Sequence, residues 1–227
     1  MLKNSSRITG KQIIFAAPKY ELVVSDDSSL WASGQSIMTQ GTNDLGTGAA
    51  FTGQAGYCGK VSGFDSPEFQ NVYGYYRQVP EAATITESLF EIGSIGKKGD
   101  IETAGGGRIA LYFDSMTLSG VGARIEANAR PYENTSDKRR YGLPGGSGGY
   151  IYIHTKEFSK KNSIAEGVTI EAKGGYALGS SDTSGSGGLV ILNNADLAFE
   201  HVKVNGGVAQ KAHENGCANG GAGTLFM

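Results

Sequence analysis

Few residues of this chain belong to the kinds that carry chemistry, and their spacing limits what they could do. There are three histidines, His154, His201 and His213, and two cysteines, Cys58 and Cys217. Two thiols are too few for a disulfide scaffold and cannot alone build a four-ligand zinc site. Asp26–Asp27 is the only adjacent acidic pair, and it reads as a turn. Glu126 and Glu171 sit in matching runs, Arg124-Ile125-Glu126-Ala127-Asn128 and Thr169-Ile170-Glu171-Ala172-Lys173. On neighbouring parallel strands they would stack about 4.8 Å apart. Paired carboxylates raise one pKa and can act as acid and base on glycosidic bonds. Lys203 takes the matching place in the next run and supplies an electrostatic partner instead.

Other chemistries fail on spacing. A phosphate-cradling loop needs Gly-Lys-Ser/Thr before a helix, whereas here strand-like runs follow the glycines. Calcium-binding β-rolls repeat Gly-Gly-x-Gly-x-Asp; the run at Gly174–Gly179 departs from it and has no second copy. No catalytic residue, metal ligand or cofactor is therefore expected, and the chain is read as a non-enzyme. Two Asn-x-Ser/Thr sequons, at Asn4 and Asn134, would accept glycans in a secreted protein. Tyr73, Tyr75 and Tyr76 offer flat faces on which sugars stack, and Tyr152 and Phe226 are further candidates for glycan or partner contact.

The elements that position these residues are announced by glycine. It supplies 36 of 227 residues, against an average of about 7%. With 39% hydrophobic residues the chain is too apolar for a linker, and its glycines lack the three-residue period of collagen. They cluster ahead of apolar runs that start at Arg108, Tyr150, Leu189 and Thr224, spaced 42, 39 and 35 residues apart. A second alternating run follows each of the first three: Arg124–Asn128, Thr169–Gly174 and His201–Gly206. Ser29–Gly34 fits the same template. Period-2 alternation means strands with one covered face, and a repeat near 40 residues means stacked units.

Stacking predicts ladders of Ile13, Ile109, Ile151, Val190 and Leu225, then Phe15, Leu111, Ile153, Leu192 and Met227. The second strand contributes Leu30, Ile125, Ile170 and Val202, then Ala32, Ala127, Ala172 and Val204. The fold class expected is all-β: a right-handed parallel β-helix, a solenoid of about four to five coils, forming one domain over 1–227. Glycine would serve its corners by positive φ and by close backbone approach. Shorter strand-like pieces are read at Tyr20–Val24, Met116–Leu118 and Ala195–Phe199. Insertions are placed at about 35–104, 129–147, 175–187 and 207–222, the first long, aromatic and Gly-rich. In this register His154 follows a first strand, His201 points outward and His213 lies in a loop, so all three are read as surface histidines. The outward row Ala110, Tyr152, Ile191 and Phe226 should be covered, either by an interface or by the first insertion.

Cys58 lies in the first insertion and Cys217 in the fourth, on one edge but roughly 14 Å apart by strand spacing. A disulfide needs Cα atoms within about 7 Å, which only the long insertion could bring about. Two thiols or intermolecular bridges remain the alternatives. The formal charge of −2 argues against a nucleic-acid partner. No apolar run reaches the length of a membrane span, and the first ten residues hold no apolar signal segment.

The runs Gly105-Gly106-Gly107-Arg108-Ile109, Gly145-Gly146-Ser147-Gly148-Gly149-Tyr150-Ile151 and Ile170-Glu171-Ala172-Lys173-Gly174-Gly175 resemble one family. So does Gly216-Cys217-Ala218-Asn219-Gly220-Gly221-Ala222-Gly223-Thr224-Leu225. The family is the glycine-rich β-helix repeat regions of very large predicted surface proteins of ciliates, other protists and plants. The resemblance implies an extracellular or cell-surface structural arm without catalysis, a stiff spacer or filament subunit. Thr224–Met227 begin a further coil, so the chain is expected to be an excerpt, or to associate with further coils or with itself. A carbohydrate-binding module using the aromatic insertion is the alternative, and a polysaccharide lyase or hydrolase a more distant one.

Overall fold

The computed structural model describes residues 1–34, 96–98, 101–129, 145–161, 168–176, 184–193, 201–208, 220 and 222–227. Within them the regular structure is nearly all strand: β1 (Arg7–Thr9), β2 (Gln12–Ser25), β3 (Ser29–Trp31), β4 (Gly96–Lys98), β5 (Ile101–Thr103) and β6 (Arg108–Ser119). There follow β7 (Arg124–Glu126), β8 (Tyr150–Lys161), β9 (Thr169–Glu171), β10 (Leu189–Asn193), β11 (Val202–Lys203) and β12 (Thr224–Phe226). Apart from the antiparallel pair β4–β5, they form two parallel sheets. A short-strand sheet runs β1-β3-β7-β9-β11, and a long-strand sheet runs β12-β10-β8-β6-β2. After β1 the chain alternates between the sheets, and each new repeat adds one strand to each.

The pairing follows the apolar alternation. Ile13 pairs with Ile109, Ile109 with Ile151, Ile151 with Val190 and Val190 with Leu225. In the short sheet Leu30, Ile125, Ile170 and Val202 align in the same way. These side chains merge into one buried cluster drawn from both sheets. A one-residue slip would turn every one of them to the opposite face, which is why burial holds the register. Each fully buried aliphatic side chain is worth about 1.5 to 3 kcal/mol.

Several details depart from the sequence reading. The N-terminal residues join the stack: Ile8 pairs with Leu30, and Leu2 bridges to Val24. Tyr20–Val24 and Met116–Leu118 are the second halves of β2 and β6, so Leu22 faces Met116 and Val24 faces Leu118 as further rungs of the core. The break that suggested separate strands is a register shift between Ala17 and Glu21, where Pro18, Lys19 and Tyr20 oppose Asp114. Pro18 has no amide to donate and is tolerated on this outermost strand. At the same level Thr155, fully buried, donates its hydroxyl towards the carbonyls of Asp114 (3.1 Å) and Glu157 (2.7 Å). Met227 lies beyond β12 and is exposed rather than a rung of the ladder. Ala195–Phe199 fall outside the described residues.

The second and later insertions are narrower than expected, because their last residues are packed. Ser147, Ser184 and Ser186 are buried, and the hydroxyl of Ser184 donates to Gly207 O (2.7 Å) while accepting from Gly220 N (2.7 Å). The glycine clusters work by proximity. Among the described glycines positive φ occurs at Gly34, Gly120 and Gly122, not in the clusters. Instead, a methyl on Gly149 would collide with the carbonyl oxygen of Gly107, and one on Gly188 with that of Gly149. The same approach lets Gly149 N donate to Ala127 O (2.7 Å) and Gly188 N to Ala172 O (2.7 Å), tying the start of each long strand to the end of a short one.

Candidate functional site: the outer face of the short sheet

In β7 and β9 the central isoleucine points into the core, so the flanking residues project outward. Arg124 and Glu126 do so from β7, Thr169 and Glu171 from β9, and Lys203 from β11. Register puts Glu126 between Trp31 and Glu171, with Lys203 beside Glu171. The carboxylate stack expected from sequence is therefore present, with Lys203 next in line. What the sequence did not show is its depth: Glu126 is 4% exposed and Glu171 6%.

The two carboxyls are treated very differently. Glu171 Oε2 lies 2.6 Å from Lys173 Nζ and accepts from Asn128 Nδ2 (3.1 Å), while its Oε1 lies 3.5 Å from Lys203 Nζ. Burial pushes this carboxyl up, but the hydrogen bond and charge of Lys173, with Asn128 and Lys203, outweigh it and hold Glu171 below its ordinary value. Among the described residues Glu126 has Arg124 as its ion-pair partner, at 3.8 Å from Oε1. Its Oε2 is buried with no hydrogen-bond partner among the described residues, as is the hydroxyl of Thr169. Burial first, and the neighbouring Glu171 charge second, raise Glu126 above its ordinary value, against the smaller pull of Arg124, Lys173 and Arg7.

Asn128 organises the rim. It accepts from Lys173 N through Oδ1 (2.7 Å) and donates its backbone N–H to Ser33 Oγ (2.9 Å), so it braces three successive short-sheet segments. Arg7 stacks over Trp31 at 4.3 Å and donates Nε to Ser29 Oγ (3.2 Å). Arg7, Trp31, Asn128 and Lys173 were not singled out from sequence. The signal was there, since Arg7-Ile8-Thr9 has the same polar–Ile–polar form as β7 and β9.

His201 is 5% exposed, with Nδ1 3.2 Å from Val168 O, which corrects its reading as a surface residue. It precedes β11 and packs against the preceding repeat. His154 lies within β8, its Nδ1 3.0 Å from Asn193 Nδ2. His213 falls outside the described residues, as do Cys58, Cys217, Asn134, Tyr73, Tyr75 and Tyr76. Asn4 is exposed, with φ 58°, at a corner whose next residue, Ser5, donates its amide to Asp26 O (2.9 Å). Asp26 and Asp27 occupy a turn, both with positive φ.

The outward row of the long sheet is covered: Ala110 is fully buried, Ile191 is 5% exposed and Tyr152 9%, with Phe226 partly buried beside them. Tyr152 packs against Tyr112 (ring centroids 5.3 Å) and lies parallel to His154 (6.5 Å). Farther along this face Lys156 and Asp114 form an exposed ion pair at 2.6 Å.

Chemically, the short-sheet site pairs an acid disposed to hold its proton with a carboxylate whose two oxygens are committed to two ammoniums and an amide. Such partners stabilise the ionised form and make Glu171 a weak base. Among the described residues no group of three or more His, Cys, Asp or Glu is arranged to hold a metal ion, and no helix is long and apolar enough to cross a membrane. Comparison with protein-family models, with curated proteins and with solved structures finds no match to this chain.

Proposed function

We propose that this chain is a structural segment, a right-handed parallel β-helix serving as a stiff spacer or filament subunit of an extracellular or cell-surface protein, without catalysis. The observation that supports it is the in-register parallel pairing through five strands of each sheet, with one core running the length of the stack. Such repeats resist bending because each strand is hydrogen-bonded to the next, and they lengthen by adding units. The resemblance to glycine-rich repeats of very large surface proteins agrees with this, and the Asn4 sequon on an exposed corner suits a glycosylated surface.

The mode of growth follows from the edges. Among the described residues β12 has β10 as its strand neighbour in the long sheet, and the Gln12–Ala17 part of β2 has β6. Placed edge to edge, β12 and β2 would continue each other's isoleucine and leucine ladder, whether from a second copy or from further repeats. Head-to-tail contact of this kind builds open filaments rather than closed rings. Sedimentation over a concentration series, with electron microscopy of the same samples, should show elongated species that lengthen with concentration. A compact monomer at every concentration would sink the filament form of this reading and leave the spacer.

One observation favours a second reading, glycan binding: the half-buried Tyr112 and His154 rings lie on one face with the Asn193 amide, packed over the buried Tyr152. Binding on a glycan array that is lost in Tyr112→Ala would support it, and an array without signal would reject it.

A further inference from the structure

Glu126 and Glu171 share a rung of adjacent parallel strands, and both side chains are more than nine-tenths buried. Among the described residues, the charged or titratable groups around Glu126 can be named. Its own strand supplies Arg124; β9 and the residues after it supply Glu171 and Lys173; β11 supplies Lys203, preceded by His201; β1 supplies Arg7. Lys173 and Lys203 contact the carboxylate of Glu171, which also takes the Asn128 amide. Arg124, half exposed, reaches one oxygen of Glu126, and the other oxygen is buried without a donor among the described residues.

We infer that Glu126 and Glu171 form a pH-sensitive fastener on the outer face of the short sheet: Glu171 is ionised, Glu126 keeps its proton, and losing that proton as pH rises loosens the junction between β7 and β9. Ionising Glu126 would set a second negative charge about one strand spacing, 4.8 Å, from the first, where water is excluded. It would also leave Oε2 with no donor among the described residues. The neutral acid avoids the charge repulsion and is far less costly to bury unpaired. A carboxyl raised above its ordinary 4.5 in the fold contributes fully below that pH. The contribution is lost as pH rises through the folded value, because the unfolded chain gives up its proton first.

The test compares thermal midpoints of the unaltered chain and Glu126→Gln, which keeps shape and hydrogen-bonding capacity but cannot ionise, from about pH 4 to about pH 8. The two should coincide at the acid end and diverge with rising pH, the variant melting higher at the alkaline end. A constant offset across the range, or a variant that melts lower at the alkaline end, overturns the inference. If Glu126→Gln does not fold, carbon-detected NMR of the carboxyl resonances in the unaltered chain decides the matter. One buried glutamate should titrate above 4.5; glutamates that all titrate at or below it overturn the inference.

Discussion

Gly149 and Gly188 are among the described residues least able to change, and the reason is space rather than torsion. A methyl at Gly188 meets the Gly149 carbonyl oxygen, and moving that carbonyl would break the bond it accepts from Leu189 N (3.0 Å). Gly188→Ala should therefore cost about 4 kcal/mol, the upper end for single substitutions, as read by the shift in urea midpoint. Gly10→Ala is the control: its methyl would sit 3.2 Å from Gln12 O at the start of β2, a contact that a shift of a few tenths of an ångström relieves, and the loss should stay under about 1 kcal/mol. At the same scale, Glu171 titrates with the opposite sign to Glu126. Its carboxyl is held below 4.5, so it stabilises the fold above that pH, and the contribution is lost as pH falls through the folded value. Glu171→Gln should melt lower than the unaltered chain at neutral pH and converge with it in acid. Equal offsets at both ends would show that the ion pairs contribute nothing.

Strands in this protein differ by position more than by composition. Ile191 in β10, with a strand on either side, is 5% exposed, whereas Ile14, in the same outward row of β2, is 50% exposed; Ile151, on the core face of β8, is fully buried. Ile151→Ala should cost about 2 to 5 kcal/mol and Ile14→Ala under about 1 kcal/mol in the same denaturant assay. The bend within the long strands has its own anchor in Thr155. Thr155→Val keeps the volume but leaves the Asp114 and Glu157 carbonyls without that hydroxyl, a loss of about 1 to 3 kcal/mol. The strand cores were legible because alternation and burial agree over every rung. The union of Tyr20–Val24 with Gln12–Ala17 was not, since three residues displaced around Pro18 interrupt the period without interrupting the sheet.

For the whole molecule, stability is the sum of units and the contacts between neighbours, so it should be graded from the middle outward. β6 and β8 are paired on both sides; β1 and β12 each have one strand neighbour among the described residues. Hydrogen exchange followed by mass spectrometry should show the slowest amides in β6 and β8 and the fastest in β1 and β12. Uniform protection across all of them would indicate a single all-or-none unit, or edges covered by a second copy. The fastener at Glu126 and Glu171 joins two repeats, so its pH dependence would be felt at that scale, as a change in how tightly successive repeats hold together.

The amino-acid sequence by itself determined the repeat, the two strands per repeat and which isoleucines, leucines and alanines share a ladder. These follow from local alternation, and any one-residue slip would expose the whole set. Only the tertiary structure decided the rest. It showed that Arg7–Thr9 completes the short sheet, that clustered glycines stand against carbonyls rather than at positive φ, and that His201 is buried. It also separated Glu126 from Glu171, two glutamates in nearly identical runs. Their difference lies partly two residues on, where Lys173 follows Glu171 but Asn128 follows Glu126, and otherwise in the partners that reach them across strands and in how far each is taken out of water.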